Sequence, residues 1–234
     1  MSSNAHASSG GDYIWIIGYG SLMSEASARR TVQPVNFGVA ILKGWRRHFN
    51  LVSITNLKNG AASLQTKEIA AVSSRPGYPD STMLVSLFQI PANEEGAYRK
   101  REGRYQYTKV SVTRVEDVDV KRAQNLPELV NLSKDSEVVE AVMCYEFNDE
   151  DFRKQRFKTH EDYMKTVGKY YEGLLWRKDI FPVRRYLRLC VNAARDLGGQ
   201  IGVQNFLETS YLANEEQTIG AYLFRNPSIM EEDN

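Results

Sequence analysis

The stretch IIGYGSLM, Ile16–Met23, joins an apolar run to a pair of glycines. The run begins at Tyr13 (YIWII) and is typical of a short buried strand. A strand that ends in Gly-x-Gly-Ser can turn so that successive backbone N–H groups point into one concavity, which binds a carboxylate or another anion. A plain glycine turn with no ligand is the alternative, and the segment alone does not decide between them.

The same segment disfavours two other kinds of site. The dinucleotide-binding fingerprint needs glycine or alanine at the position of Met23, because its helix must pack closely on the strand. Ser21 lacks the G-x-S-x-G setting of a nucleophilic serine, and its partner is not evident among His6, His48 and His160. We therefore expect neither a nucleotide site nor a serine nucleophile here.

Composition and charge restrict the classes of partner. The 234 residues include 30 lysines and arginines against 29 acidic residues, a net charge of +1, so no overall field attracts nucleic acid or an anionic membrane. The apolar runs are too short to span a bilayer, and the first eleven residues lack the features of a secretory signal. Cys144 and Cys190 lie in apolar segments and indicate buried thiols in a reducing compartment. We expect a cytoplasmic monomer or homodimer without membrane or nucleic-acid partners.

Short strand-like runs fill the chain from Tyr13 to about Phe147. So many strands, separated by turn signals, favour a curled sheet or a small mixed β-barrel over a doubly wound fold. The predicted strands are YIWII, VNFGVAIL, GWRRHFNLV, AASLQ, KEIAAVS, TMLVSLFQI, YQYTKVSVTRV and EVVEAVMCYEF.

Helices predominate from Asn148 onward, and the first of them is predicted to be one long charged helix over Phe152–Lys178. The chain is thus expected to be α+β: a small barrel with flanking helices and a helical C-terminal part. We predict a single domain over residues 13–226, with a disordered tail at 1–12 and a loose tail at 227–234. The other predicted helices are Val183–Leu197, Gly202–Leu207 and Gln217–Phe224.

One further helix is predicted to begin at Asn93 and to end at Glu102. A carboxylate in the last turn faces the negative end of the helix dipole, which disfavours its ionisation. Desolvation would raise its pKa further, towards the range that suits proton transfer, while Arg101 and Arg104 would oppose that shift. An exposed glutamate paired with a neighbouring arginine is the alternative.

Three motifs in this order resemble the γ-glutamyl cyclotransferase family. They are the strand followed by the YGSL turn, the strand WRRHFN (Trp45–Asn50), and R-E-G-R-Y (Arg101–Tyr105) at the end of a helix. FPVRRYLRLCVNAARDLG is similar to the family's Pro-x-x-Tyr helix, and NFLETSYLANEEQTIGAYL to the closing region of a branch with larger members. The resemblance runs from about Tyr13 to Phe224 and implies the small mixed β-barrel of that family.

The resemblance also implies a reaction and a set of residues. Family members let the α-amine of the substrate attack its own γ-carbonyl, which releases 5-oxoproline and an amine without a metal, a cofactor or a protein nucleophile. Glu102 would be the catalytic proton carrier, and further tyrosines are candidates for the cavity wall. The implied substrate-binding residues are Tyr19, Gly20, Ser21, Leu22, Met23, Ser24, Tyr186, Tyr105 and Tyr145.

Two alternatives stay open at this point. The leaving group is undetermined, so the chain could be a γ-glutamylamine cyclotransferase or could act on glutathione only. The fold could instead serve as a non-catalytic binding or regulatory module, with the predicted helix over Phe152–Lys178 as its partner surface. The family's compact members lack that long charged segment, which leaves the choice of substrate open.

Overall fold

Two sheets organise the chain in the computed structural model, which describes residues 12–231. The strands are β1 (Tyr13–Gly18), β2 (Val35–Lys43), β3 (Trp45–Val52), β4 (Glu68–Pro76), β5 (Thr82–Pro91), β6 (Gln106–Val115), β7 (Val138–Tyr145), β8 (Phe181–Pro182) and β9 (Ser210–Leu212). The α-helices are α1 (Glu25–Ala28), α2 (Ile54–Lys58), α3 (Glu95–Arg101), α4 (Asp117–Arg122), α5 (Leu126–Leu132), α6 (Asp149–Arg156), α7 (His160–Tyr163), α8 (Arg184–Thr209) and α9 (Ile219–Arg225).

Within the described range, five strands close into a barrel in the order β1-β5-β2-β6-β7. The barrel is mostly antiparallel, and the parallel pairing of Ile16 on β1 with Val142 on β7 closes it. A second sheet, in the order β8-β4-β3-β9, lies beside it. The predicted α+β class and the small mixed barrel are therefore confirmed.

Strand β1 is apolar throughout its centre because both of its faces are covered. Successive side chains on a strand point to opposite faces. Ile17 belongs to the main core, whereas its neighbour Ile16 packs on the other face with Phe88 and with Tyr98 of α3. Both isoleucines are completely buried. This burial places the end of β1, and the glycine turn after it, in the interior.

Most of the predicted strands are present, and AASLQ is the exception. In this segment only Ser63 makes an isolated bridge, to Glu68, so the predicted strand is wrong. The chain leaves α2 through Gly60 at a φ of +70°, and residues 64–67 are exposed. Helices α4 and α5, which the sequence analysis missed, cover the barrel through the fully buried Leu129.

The predicted long helix over Phe152–Lys178 is also wrong. Helix α6 ends at Arg156 because Phe157 is extended, with φ −131° and ψ 136°. Thr159 then caps the separate short helix α7 by accepting a hydrogen bond from the Asp162 N–H at 3.1 Å. A π-helical turn over Met164–Gly168 follows.

After this turn the chain folds back onto the start of α6. The Asp149 carboxylate accepts hydrogen bonds from the backbone N–H groups of Leu175 at 2.7 Å and Trp176 at 3.1 Å. The segment is therefore packed on the domain by one aromatic cluster rather than presented as a free helix. The cluster consists of Phe147, Phe152, Phe157, Tyr163 and Trp176.

Helix α8 joins two predicted helices across a kink at Gly198 and Gly199, the second of which has a φ of +57°.

The predicted loose C-terminal tail differs from the structure at its start. Pro227–Met230 forms a 3-10 turn in which Ile229 is buried, and Arg188 Nη1 donates to the Ile229 carbonyl at 2.9 Å. Residues 1–11 and 232–234 lie outside the described range. Among the residues described, no helix combines the length and apolar character that crossing a membrane requires.

Candidate active site

Two glycines let the chain turn tightly at the end of β1. A Cβ on Gly18 would lie 2.5 Å from both the Leu22 Cβ and the Ser86 Oγ. A Cβ on Gly20 would lie 2.6 Å from Val72 Cγ1, which is closer than real contacts allow. Both positions therefore require glycine because of close packing.

The turn continues as a short 3-10 helix over Ser21–Met23. Its first N–H groups have no acceptor within the helix, since the chain before them is not helical. The Ser86 hydroxyl holds the turn from the β5 side by donating to the Leu22 carbonyl at 2.8 Å. The first N–H groups of this short helix are therefore left without an acceptor inside it, in a segment that the Ser86 bond holds in place.

A small cavity of about 20 Å³ lies against this turn, with room for about one water molecule. It brings together the end of β1, the end of α3 and the start of α8, which are far apart in sequence. Its lining residues are Ile17, Gly18, Tyr19, Gly20, Ser21, Leu22, Val72, Glu102, Tyr105, Cys144 and Tyr186.

Glu102 lies at the C-terminal cap of α3, where its N–H donates to the Tyr98 carbonyl at 3.0 Å. Its side chain is only 14% exposed. Burial raises the pKa of this carboxyl above its ordinary value, because water no longer stabilises the ionised form, and the charges of Arg101 and Arg104 oppose the rise. The carboxylate is therefore a more basic group than a surface glutamate.

Arg101 connects Glu102 to the glycine turn, a role that the sequence did not reveal. Its Nε lies 2.9 Å from Glu102 Oε1. Its Nη2 donates to Ser27 Oγ at 3.0 Å and to Ser21 Oγ at 3.3 Å, and its Nη1 donates to the Ser27 carbonyl at 2.6 Å. One guanidinium thus fixes the carboxylate relative to the turn and to α1.

Three of the four predicted tyrosines, Tyr19, Tyr105 and Tyr186, line the cavity. The Tyr105 hydroxyl donates to the Val72 carbonyl at 2.7 Å, and the Tyr186 hydroxyl lies 3.1 Å from where a Cβ on Gly20 would be. Burial raises the pKa of both phenols, so both stay protonated and can donate hydrogen bonds. Tyr186 is partly exposed and covers the turn from the α8 side.

Three other predicted substrate-binding residues do not line the cavity. Met23 belongs to the turn, but its side chain is buried on the side of Arg47, with the sulfur 3.8 Å from Arg47 Nη2. Ser24 caps α1, because its hydroxyl accepts the Ser27 N–H at 3.3 Å. Tyr145 lies on β7 and donates to Gln106 Oε1 at 3.2 Å. Its neighbour Cys144 lines the cavity, and successive side chains on a strand point to opposite faces, so Tyr145 faces away from it.

Cys144 lines the cavity although its sequence context indicated only a buried thiol. Its Sγ lies 3.4 Å from the Tyr19 hydroxyl. Burial raises the pKa of the thiol well above its ordinary range, because the thiolate would be desolvated. A thiol that stays protonated is a poor nucleophile. Cys144 therefore lines the cavity and does not attack the substrate.

A methyl group at residue 20 is expected to disrupt the turn. Gly20→Ala places its Cβ against Val72 Cγ1, so it should lower the free energy of unfolding by about 1–3 kcal/mol, the usual cost of overpacking. Gly38→Ala is the matched control, because a Cβ there meets nothing within 4 Å, and it should change stability by less than about 1 kcal/mol. Urea unfolding of the two variants measures the difference. Equal stability of the two would contradict the packing described for the turn.

Comparison with known proteins gives structural matches only, since no family model and no curated protein sequence matches the chain. One solved structure, a γ-glutamyl cyclotransferase, has a TM-score of 0.49 and 10% identity and covers 82% of this chain and 85% of its own. A γ-glutamyl cyclotransferase specific to glutathione, from yeast, has a TM-score of 0.47 and 13% identity over 85% and 97% of the two chains. An AIG2-like protein from Mus musculus has a TM-score of 0.35 and 14% identity over 70% and 95%. All three TM-scores lie below 0.5 and all three identities lie below 25%, so the activity has to be argued from the site itself.

Proposed function

We propose that the chain is a γ-glutamyl cyclotransferase, which converts a γ-glutamyl amide to 5-oxoproline and a free amine. The observation that carries this proposal is the cavity in which the glycine turn and the buried Glu102 meet. The turn offers backbone donors for an anionic group, and Glu102 offers a carboxylate of raised pKa beside them. This combination suits an intramolecular reaction whose main demands are positioning and proton transfer.

In the proposed reaction the α-amine of the substrate attacks the γ-carbonyl carbon. A new C–N bond closes the five-membered ring, and the C–N bond of the γ-amide breaks. Glu102 takes a proton from the α-ammonium, which frees the lone pair for attack, and returns a proton to the departing nitrogen. The raised pKa of Glu102 favours both transfers, because it lies closer to neutrality than that of an exposed carboxyl.

The substrate is proposed to lie with its α-carboxylate on the N–H groups of the glycine turn. The phenol of Tyr186 lies at the cavity wall as a neutral group that can donate to the substrate, whereas Tyr105 lines the wall with its O–H already donated to the Val72 carbonyl. A cavity of about 20 Å³ is smaller than a glutamyl group, so its walls must open for binding. Tyr186 is the partly exposed residue over Gly20, and we expect its ring to move when the substrate enters.

The leaving group can be assigned by assay. Purified protein is incubated with γ-glutamyl-alanine, glutathione and γ-glutamyl-lysine side by side, and 5-oxoproline is quantified against a blank without protein. Release from at least one of the three supports the proposal, and the ratio of the rates identifies the class of leaving group. No release from any substrate would favour the second candidate, a binding or regulatory module on the same fold.

The pH profile should report the burial of Glu102. Because the attacking amine needs a deprotonated base, kcat/KM should fall as pH falls through the pKa of Glu102, and the inflection should lie above the ordinary carboxyl value of 4.5. Arg101→Gln removes a charge that lowers this pKa, so its inflection should lie at a higher pH than in the unsubstituted protein. An inflection that stays in place in Arg101→Gln would contradict the assignment of the acidic limb to Glu102.

A further inference from the structure

Arg47 on β3 is completely buried directly behind the glycine turn. Its Nε donates to the Tyr19 carbonyl at 2.8 Å and its Nη1 donates to Thr209 Oγ1 at 2.9 Å. Its Nη2 donates to the Leu84 carbonyl, and the guanidinium carbon lies 5.1 Å from the centre of the Phe206 ring. The side chain therefore joins the turn to β5 and to the end of α8.

Every one of these partners is neutral. Between residues 12 and 231 the ion pairs involve other arginines and lysines, and none includes Arg47. Burial without a carboxylate lowers the pKa of the guanidinium, the opposite of what an ion pair would do. A buried charge with no counterion is costly to a fold. An anion bound nearby would supply the missing opposite charge.

The hydrogen bond to Tyr19 connects this charge to the cavity. Tyr19 and Gly20 both line the cavity, and the carbonyl of Tyr19 shares one peptide unit with the N–H of Gly20. A donor on the carbonyl of a peptide polarises the unit, and its N–H then becomes a stronger donor. The Tyr19–Gly20 peptide can therefore transmit the effect of the buried charge to a ligand.

We propose that Arg47 is a positioning residue whose charge makes the glycine turn selective for an anion, namely the α-carboxylate of the substrate. The inference rests on the proposed function, in which the α-carboxylate lies on the turn, and it adds the residue that makes the turn prefer an anion. From Arg47 Nε through the peptide to an anion on the Gly20 N–H the path is about 8 Å. A unit charge at that distance strengthens anion binding by about tenfold to thirtyfold at an effective dielectric constant of about 20.

The test compares an anion with its neutral analogue, and it needs no turnover. Calorimetry measures the binding of 5-oxoproline and of 5-oxoproline amide to the unsubstituted protein, to Arg47→Gln and to Arg47→Lys. We expect the unsubstituted protein to prefer the anion, Arg47→Gln to lose about tenfold to thirtyfold of that preference, and Arg47→Lys, which keeps the charge, to retain most of it. Phe206→Leu is the control for altered packing around the guanidinium and should keep the preference.

Equal binding of the two compounds by the unsubstituted protein would overturn the proposal, as would an unchanged preference in a folded Arg47→Gln variant. If Arg47→Gln does not fold, Arg47→Lys decides: a retained preference supports the role of the charge, and a lost preference overturns it. Failure of the proposed function gives a different result. In that case no γ-glutamyl substrate is turned over, while the charge-dependent preference for the anion is still measured.

Discussion

Replacing Glu102 with glutamine is expected to lower 5-oxoproline formation by at least the factor of about 10²–10⁴ that one positioned proton transfer contributes. Glutamine keeps the shape of the side chain and an oxygen that can accept from Arg101 Nε, but it cannot take a proton from the substrate. The carboxyl is buried, so its replacement by a neutral amide removes a desolvation cost and should leave the fold intact. The expected result is thus an inactive protein of normal stability.

The measurement is kcat for 5-oxoproline release, together with the thermal unfolding midpoint. Glu95→Gln is the matched control, because Glu95 lies on the same helix, is more exposed and pairs with Arg99 at its surface. This control should retain full turnover. Near-normal turnover by Glu102→Gln would refute the assignment of Glu102 as the proton carrier.

The second large effect concerns stability in acid and comes from His48. This residue is completely buried on β3, and neither ring nitrogen has a hydrogen-bond partner. Its ring stacks on Tyr211 at 5.7 Å between centroids. Burial lowers the pKa of His48 to about 3, and the nearby charges of Arg46 and Arg75 lower it as well. The histidine is therefore neutral in the folded protein and becomes charged when the chain unfolds in acid.

The sign of the effect follows from the two pKa values. The unfolded chain binds the proton near pH 6.5 and the folded one only near pH 3, so the contribution to stability is complete above 6.5 and is lost as the pH falls towards 3. Each pH unit costs about 1.4 kcal/mol, which gives about 5 kcal/mol over the whole interval. Such a loss is comparable to the entire stability of many domains.

Urea unfolding at pH 7 and pH 4.5 measures this contribution. His48→Leu cannot bind the proton, so it should lose about 2–3 kcal/mol less than the unsubstituted protein between these two values. His160→Gln is the control, because His160 is exposed, and it should keep the original pH dependence. The same loss in His48→Leu and in the unsubstituted protein would show that His48 does not set the acid sensitivity.

The barrel could be predicted because its strands carry their own signals. Runs such as the one before Gly18 are apolar and end in turn residues, and their burial on both faces explains the pattern. The helix that ends before Glu102 could also be predicted, because its acidic first turn and basic last turn match the helix dipole. Both features arise from residues that are close together in the sequence, so one sequence is enough to predict them.

The remaining features depend on contacts between distant segments. The charged run after Phe152 has a helical composition, yet an extended Phe157 and the aromatic cluster around Trp176 break and fold it. Cys144 was predicted only as a buried thiol and Arg47 only as part of a strand motif, because their places beside the cavity and the turn arise from contacts with β1. Arg101 was seen only as a charge beside Glu102, and its bonds to the turn required the folded structure.

The most direct test of the central claim asks whether oxygen from water enters the products. The protein is incubated with γ-glutamyl-alanine in water enriched in ¹⁸O, and the products are analysed by mass spectrometry against a blank without protein. Because the α-amine of the substrate is the proposed nucleophile, we predict equal amounts of alanine and 5-oxoproline, with no ¹⁸O in either product. Glutamate that carries ¹⁸O would show that water attacks the γ-carbonyl, and it would contradict the proposed cyclisation at the glycine turn and Glu102.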